Sequence, residues 1–331
     1  MELMPGYDSE SNDETGYISL TTKYRVIWKL MFELSSRRRD SSNRVLASTI
    51  YRRFRKLIDE CKPDVILSVH PCFVGSVIIC LQRMRLDIPV CTCIIDLVKH
   101  SRLWHDTRCE KTFVPTNKMY RQLLGEGFTS DKLVHSGFPI GEAFHVDVTA
   151  RNNRSQTVDM LMVNPSLEQD DVTLEFIRVA LKFKVKLTVV TGSDRQLKTY
   201  LDQHLSNRPD VDVLGYVHDM PDRLAAADLI VTKAGPNMML EAVSMCVPIL
   251  ITGHILGQEE ENYTYVVDNG YGMKCESPAE FESALNTILV DDADSLSRMR
   301  ANEMACKDTN GAPVIARNLI DIVVKRRSRV D

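Results

Sequence analysis

Residues 233–262 read KAGPNMMLEAVSMCVPILITGHILGQEEEN. They follow the apolar run DLIV, and the pattern predicts a strand, a turn, a helix from Pro236, a second strand at PILI, and a second turn. A turn between a parallel strand and a helix exposes unpaired backbone N–H groups at the positive end of the helix dipole, which suits a phosphate. Gly235 lets the backbone turn closely, and Pro236 fits the first helical position. Glu241 falls about one and a half turns into the helix. A carboxylate there can accept from two adjacent hydroxyls, as a ribose offers. In the second turn, Gln258, Glu259 and Asn262 can fix sugar hydroxyls. Phosphate, ribose and sugar in that order describe a nucleotide-sugar. The alternative is that any strand–helix loop carries Gly, Pro and polar residues, and KAGP alone does not separate the two.

Working outward, strand and helix alternate along most of the chain. PDVILSVHP reads as a strand ending in His70, FVGSVIICLQRMR as a helix, PVCTCIIDL as a strand ending near Asp96, KTFVPT as a strand and NKMYRQLLGEG as a helix. After KLVHSGFPI a polar stretch interrupts the pattern. It restarts with VDMLMVN and continues through KLTVVTG, VDVLGYV and DLIVTKAG, each followed by a helical segment; helices are also expected over 258–269, 277–290, 293–306 and 312–328. Such alternation implies parallel α/β architecture. The predicted organisation is two doubly wound parallel-sheet domains facing a cleft. Residues 1–16 read as disordered, 17–145 as the first domain, 146–157 as a linker, 158–308 as the second domain, and 309–331 as a C-terminal helix with a basic tail.

Composition narrows the function classes. The chain has 331 residues, 44 % hydrophobic and 26 % charged, with a net charge of −4, so no bulk attraction to nucleic acid is expected. Nine Cys occur without a C-x-x-C pair, mostly in apolar runs. They read as buried free thiols of a reducing compartment, and Cys91 and Cys93 lack the second pair a metal site needs. The polar, acidic N-terminus has no signal-like apolar core, and no stretch is long and apolar enough to span a bilayer. A cytosolic protein, or one seated on the cytosolic face of a membrane, is expected. Residues 43–60 predict an amphipathic helix with Val45, Leu46, Ile50, Phe54, Leu57 and Ile58 on one side. Arg37, Arg38, Arg39, Arg52, Arg53 and Arg55 lie close by, as do Trp28 and Phe32. Basic side chains beside apolar ones suit an anionic membrane surface, the alternative being a solvated helix face.

The combined pattern K-A-G-P-x4-E-A…P…G-Q-E-x2-N resembles the family of monogalactosyldiacylglycerol synthases and processive diacylglycerol glucosyltransferases, relatives of the family 28 enzyme that makes lipid II. LGYVHDMPDRLAAADLIVTKAGP, VVTGSDRQL, KPDVILSVHP, IIDLVKHSRLWH and PTNKMYRQLLGEGFTSDKLVHSGFPIGEAF resemble further family stretches in order. The resemblance implies the GT-B fold, with a UDP-sugar on the C-terminal domain and the acceptor on the N-terminal one. It also implies inversion at the anomeric carbon, no metal ion or other cofactor for the donor phosphates, and a membrane lipid such as diacylglycerol as acceptor. Carried over, Glu241 meets the ribose; Gly235, Pro236 and Asn237 face the diphosphate, with Lys233 and Gly192 beside them; Tyr216 and Val217 flank the uracil; and Gln258, Glu259 and Asn262 meet the hexose. His70, Asp96, His100 and Trp104 line the acceptor side.

Two departures bear on activity. The family's first strand and G-x-G-H loop are not seen: the resemblance begins at GYISLTTKYRVIWKLMF. A first βα unit of the N-terminal domain is therefore expected to be missing, which would leave an open sheet edge for a protein partner to cover. Where the family has a Gly-rich loop after the first strand of the second domain, this chain has LMVNPSLEQDD. His70, His100 and Asp96 become the candidate bases, each with a purely structural role as the alternative. The expected function is an inverting hexosyltransferase from a UDP-sugar to a membrane lipid. The competing readings are a non-catalytic scaffold or membrane regulator of the same ancestry, and a shortened chain that has lost activity.

Overall fold

The computed structural model describes residues 39–145, 157–163, 170–256, 259–292, 294–306 and 308–328. The expectations for residues 1–16, Trp28, Phe32, Arg37, Arg38, most of the 146–157 linker, the NPSLEQ turn and Gln258 lie outside the described residues.

The chain forms two compact units. One contains the described residues up to Pro139 together with the segment from Asn310 onward; the other holds most of what lies between. The first unit opens with helix α1, Arg39–Cys61. Ala47, Ile50, Phe54 and Ile58 recur at helical spacing and are buried. Val45 is not on this face: it is 67 % exposed. Ala47 takes the core position instead, because Val45 lies some 140° around the helix from Ile50.

Strands β1 (Ile66–Ser68), β2 (Val90–Cys93), β3 (Lys111–Val114) and β4 (Leu133–His135) form a parallel sheet in sequential order, with β1 at an edge among the described residues. Helices α2 (Gly75–Met84) and α3 (Asn117–Gly125) connect them. β1 ends two residues before His70, because Ser68 Oγ turns to the His70 carbonyl and His70 caps a short 3₁₀ turn starting at Pro71. Likewise β2 stops at Cys93, three residues short of Asp96.

Strand alternation divides this sheet cleanly. Ile66, Val90, Val114 and Leu133 point to the side covered by α1, α2 and α3. Leu67, Cys91, Cys93, Phe113 and Val134 point to the other, where they meet Ile315, Leu319 and Ile322 of the last helix, α11, Gly311–Arg327. Thus the C-terminal helix belongs to the first unit. Its first residue explains how it sits so close: a Cβ on Gly311 would lie 2.3 Å from the Gly137 carbonyl oxygen, and Gly311 N–H donates to the Phe138 carbonyl at 2.9 Å. Burial of Ile315 and Ile322 contributes roughly 1.5–3 kcal/mol each.

The second unit carries a six-stranded parallel sheet in the order β10-β9-β8-β5-β6-β7. Its strands are β5 (Val158–Val163), β6 (Val185–Val190), β7 (Val211–Leu214), β8 (Leu229–Lys233), β9 (Ile249–Gly253) and β10 (Gly272–Lys274). Helices α4 (Asp170–Ala180), α5 (Arg195–Leu205), α6 (Met220–Ala226), α7 (Pro236–Ser244), α8 (Asn262–Asp268), α9 (Pro278–Asn286) and α10 (Ser295–Met304) complete it. Phe176 of α4 meets Phe281 of α9 edge-on at 5.3 Å. Two helices are shorter than the periodicity predicts. α8 starts at Asn262 rather than 258, and α9 passes into a π turn over Thr287–Asp291. The chain runs outward from β5 through β6 and β7, then returns to β8 on the other side of β5. That reversal between β5 and β8 is where open α/β sheets bind ligands, outside the carboxyl ends of the strands.

All nine cysteines are free, six of them buried. No helix among the described residues is long and apolar enough to cross a membrane.

Candidate active site

The opening motif stands at this reversal, with β8 leading into α7. Gly235 is the N-cap of α7, in extended conformation, and Pro236 is the first helical residue. Gly235 has no side chain to cap the helix and no cap bond is formed among the described residues, so the first-turn N–H groups suit a ligand. Glu241 follows in the second turn, partly buried, and burial pushes its carboxyl up to about 7. A ligand hydroxyl pair donating to it would favour the charged form.

The turn 233–235 is held from three sides. Ala234 N–H donates to the Gly253 carbonyl at 2.7 Å, and the Asn262 amide donates to the Ala234 carbonyl at 3.0 Å. Lys233 Nζ lies 2.5 Å from Oε1 of Glu259. The other carboxylate oxygen of Glu259 accepts from Ile255 N–H at 2.9 Å, and Glu259 N–H returns to the Ile255 carbonyl. This closed loop is why α8 begins only at Asn262. Glu259 and Asn262 are both buried. The resemblance places them against a hexose; in the structure their polar atoms go largely to the β8–α7 turn, and Oδ1 of Asn262 has no partner among the described residues.

Gly192 sits in the turn after β6 with φ +61°. Tyr216 is 67 % exposed after β7, with its ring edge-on to His218 at 5.0 Å, and Val217 is half-buried beside it. Asp170 and Asp171 open α4; burial, then Asp194 and Asp171, raise the Asp170 carboxyl, and Asp171 accepts from the Tyr200 hydroxyl. The acidic stretch that stands in place of the Gly-rich loop therefore ends in the start of the expected helix.

In the first unit the three candidate bases differ sharply. Asp96 is buried and accepts from the indole N–H of Trp104 at 2.8 Å. The His100 side chain is 3 % exposed, with Nε2 3.3 Å from Glu126 Oε2 but misaligned for a hydrogen bond. His105 approaches the same carboxylate oxygen at 3.9 Å and stacks on Phe128 at 4.8 Å. Burial outweighs the Glu126 charge and lowers both imidazole pKa values. His70 is exposed at the end of β1. Its Nδ1 accepts from Cys72 N–H at 3.3 Å, so the neutral ring carries its proton on Nε2, and partial enclosure lowers its pKa.

The remaining charges sort by partner. Arg39 donates to the His105 carbonyl, whereas Arg52, Arg53 and Arg55 are exposed on α1, Arg55 within 3.9 Å of Asp59 one turn on. Glu126, in the GEG at a helix end, carries in the sequence no sign of its histidine neighbours. Nor does the sequence show that Lys233 and Glu259, 26 residues apart, form a pair.

Two Rossmann-like parallel-sheet units, with an uncapped helix start and a following carboxylate at the strand reversal of the second, define a protein of the GT-B class. A family model described as monogalactosyldiacylglycerol (MGDG) synthase matches residues 9–140, and one described as glycosyltransferase family 28 C-terminal domain matches residues 163–319. The two matches fall one on each part of the chain, so the similarity to glycosyltransferases extends over most of its length. Monogalactosyldiacylglycerol synthase 3, chloroplastic, of Arabidopsis thaliana is 24 % identical over 312 residues, 88 % of this chain and 67 % of the relative. The processive diacylglycerol beta-glucosyltransferase of Staphylococcus epidermidis is 23 % identical over 274 residues, 79 % of this chain and 68 % of the relative. The chain spans about three-fifths to two-thirds of the length of the plant relatives it matches. Among solved structures, UDP-GlcNAc 2-epimerase from Neisseria meningitidis bound to UDP-GlcNAc superposes with a TM-score of 0.63 at 15 % identity, over 83 % of this chain and 81 % of that one. At that identity the likeness shows the fold alone.

Proposed function

We propose that this chain is an inverting hexosyltransferase that moves glucose or galactose from a UDP-sugar to a membrane lipid such as diacylglycerol. The observation that carries the reading is the uncapped N-terminus of α7 at Gly235–Asn237, with Glu241 in the second turn, at the strand reversal. The helix N-terminus takes the diphosphate and Glu241 takes the ribose. Tyr216 and Val217 flank the base. Donor phosphates are met by protein groups, with no metal ion required. The names of the relatives point to diacylglycerol as acceptor.

His70 is the base of choice. Asp96 is tied to Trp104 and His100 is enclosed beside Glu126, whereas His70 is exposed and neutral at pH 7, and its lone pair on Nδ1 takes up a proton once the ring gives up the Cys72 N–H contact. The exposed Arg52, Arg53 and Arg55 of α1 seat the first unit on an anionic membrane surface. Calorimetry with UDP, UDP-glucose and UDP-galactose, followed by a lipid-acceptor assay, tests the reading. Micromolar binding that prefers one UDP-sugar supports it; no binding of any of the three overturns it.

A second reading, a non-catalytic relative, is favoured by the same observation that singles out His70: two of the three candidate bases are committed to protein partners. UDP binding without transfer to any lipid would establish it.

A further inference from the structure

We propose that residues 97–105 form a pH-sensitive latch, held shut by neutral His100 and His105 against the end of α3 and released when the two rings take up protons. The latch lies wholly in the first unit and does not depend on the donor-site reading. Three observations carry it.

First, two imidazoles from the loop converge on one carboxylate of a separate element. Nε2 of His100 lies 3.3 Å and Nδ1 of His105 lies 3.9 Å from the same oxygen of Glu126. The other oxygen of Glu126 accepts from the Gln122 amide at 3.0 Å, one turn back, which fixes the carboxylate at the end of α3. Second, His100 is enclosed without being satisfied. Its side chain is 3 % exposed, and neither ring nitrogen has a hydrogen bond among the described residues. A buried polar group in that state weakens the closed form, so the loop is poised to open. Third, the surrounding charges do not favour protonated rings. The charged groups facing them are Glu126 from the end of α3, Arg102 from the loop itself, and Arg39 from α1, which is paired with Asp40. Glu126 already faces two guanidinium groups, so two imidazolium ions would leave an enclosed site with an excess of positive charge. Enclosure, the largest effect, accordingly lowers both imidazoles.

In the released loop both rings are solvated and take up protons near the ordinary histidine value of about 6.5. In the closed loop they take them up only at lower pH. As pH falls between those values, each ring favours opening by up to about 10-fold per pH unit, and the two together by up to about 100-fold. At neutral pH the loop is held by contacts that do not titrate there. The His105 ring stacks on Phe128 at 4.8 Å, Arg39 donates to the His105 carbonyl, and the buried Trp104 indole donates to Asp96. Release would bare Leu97, Leu103 and Trp104 to solvent, and with them the Asp96 carboxylate. The pH of the surroundings thus decides whether that carboxylate is shielded.

The test uses the full chain with Trp28→Phe, which leaves Trp104 as its single tryptophan. Acrylamide quenching and emission wavelength are followed from pH 8 to pH 5, with far-UV circular dichroism beside them. Trp104 is expected to be shielded at pH 8. In acid its quenching should rise several-fold, along a transition of about two protons with a midpoint below about 6.5, while the far-UV signal holds. His100→Phe keeps a flat ring in the slot but takes up no proton, so its transition should move at least about one pH unit lower. His105→Phe keeps a ring against Phe128 and should reduce the slope to about one proton. Glu126→Gln removes the carboxylate charge that favours protonated rings in the closed loop, so the transition should move to higher pH. No change at Trp104 down to pH 5 overturns the proposal. So does a transition that His100→Phe leaves in place, or one that coincides with loss of the far-UV signal, which would be unfolding of the chain. If His100→Phe does not fold, an unchanged two-proton slope in His105→Phe overturns the proposal by itself.

Discussion

The indole N–H of Trp104 donates to Oδ2 of Asp96 at 2.8 Å, and both side chains are buried. Leaving a buried polar group without its hydrogen-bond partner costs about 1–3 kcal/mol. Trp104→Phe is expected to lower the unfolding free energy by about that much, measured by chemical denaturation. Asp96→Asn keeps an acceptor for the indole and should leave transfer within a few-fold of wild type. A loss of about a thousandfold or more would instead make Asp96 the base.

His70 carries a different expectation. Its imidazole pKa is lowered by burial, so it is neutral at pH 7 and competent to accept a proton. Protonation is disfavoured in the folded state, so this group makes stability fall as pH drops through the ordinary imidazole range. Transfer should decline on the acid side with a midpoint below about 6.5. His70→Gln should lower kcat by about 10²–10⁴-fold and remove that acid limb. A pH–rate profile that His70→Gln leaves unchanged would assign the base elsewhere.

Glu241 behaves in the opposite sense. Its carboxyl is pushed up to about 7 by burial, from the usual carboxylate range. The folded state therefore binds more protons than the unfolded chain between about 4.5 and 7, and this group costs stability as pH rises through that window. Glu241→Gln should raise the melting temperature at pH 8 and leave it unchanged at pH 4. Uridine affinity should rise with pH through about 7 in the wild type and become weak and pH-independent in Glu241→Gln. Calorimetry at pH 5.5, 7 and 8.5 reads both effects.

The exposed arginines of α1 predict membrane behaviour. Each near-surface basic residue contributes about 1 kcal/mol on an anionic bilayer, so replacing Arg52, Arg53 and Arg55 together by Gln should weaken vesicle binding on the order of 10²-fold. Co-sedimentation with phosphatidylglycerol-containing vesicles at low and high salt measures it. UDP binding should be unaffected, because those residues belong to the first unit.

Much of the fold was legible in the sequence because its cause is local. Parallel strands covered on both faces read as short apolar runs such as LIVTK and VPILI, and the helices between them carry apolar residues at helical spacing. The strand–turn–helix of KAGPNMMLEA was legible for the same reason: Gly235 and Pro236 decide the backbone where they stand. What stayed hidden depends on partners far along the chain. Asp96 at a strand end looked free because nothing near it announces Trp104. The polar QEEEN stretch shows nothing of the contacts that Glu259 and Asn262 make with the Lys233–Gly235 turn, which only the fold brings about. His100 looked available until Glu126 and the loop around it closed over the ring. Val45 was misplaced because a helix face is decided by angle, and one residue of offset moves it by 100°.

The placement of α11 has a consequence for how the protein comes into being. The sheet of the first unit is made early on the ribosome, but one of its faces waits for Ile315, Leu319 and Ile322, about 180 residues or more after β4. Until residues 311–327 emerge, Cys91, Cys93 and Phe113 lie bare to water. The first unit is thus among the last parts of the molecule to be finished, and it matures only after the second has been synthesised. Nascent chains would offer that apolar, thiol-bearing face to chaperones for most of translation.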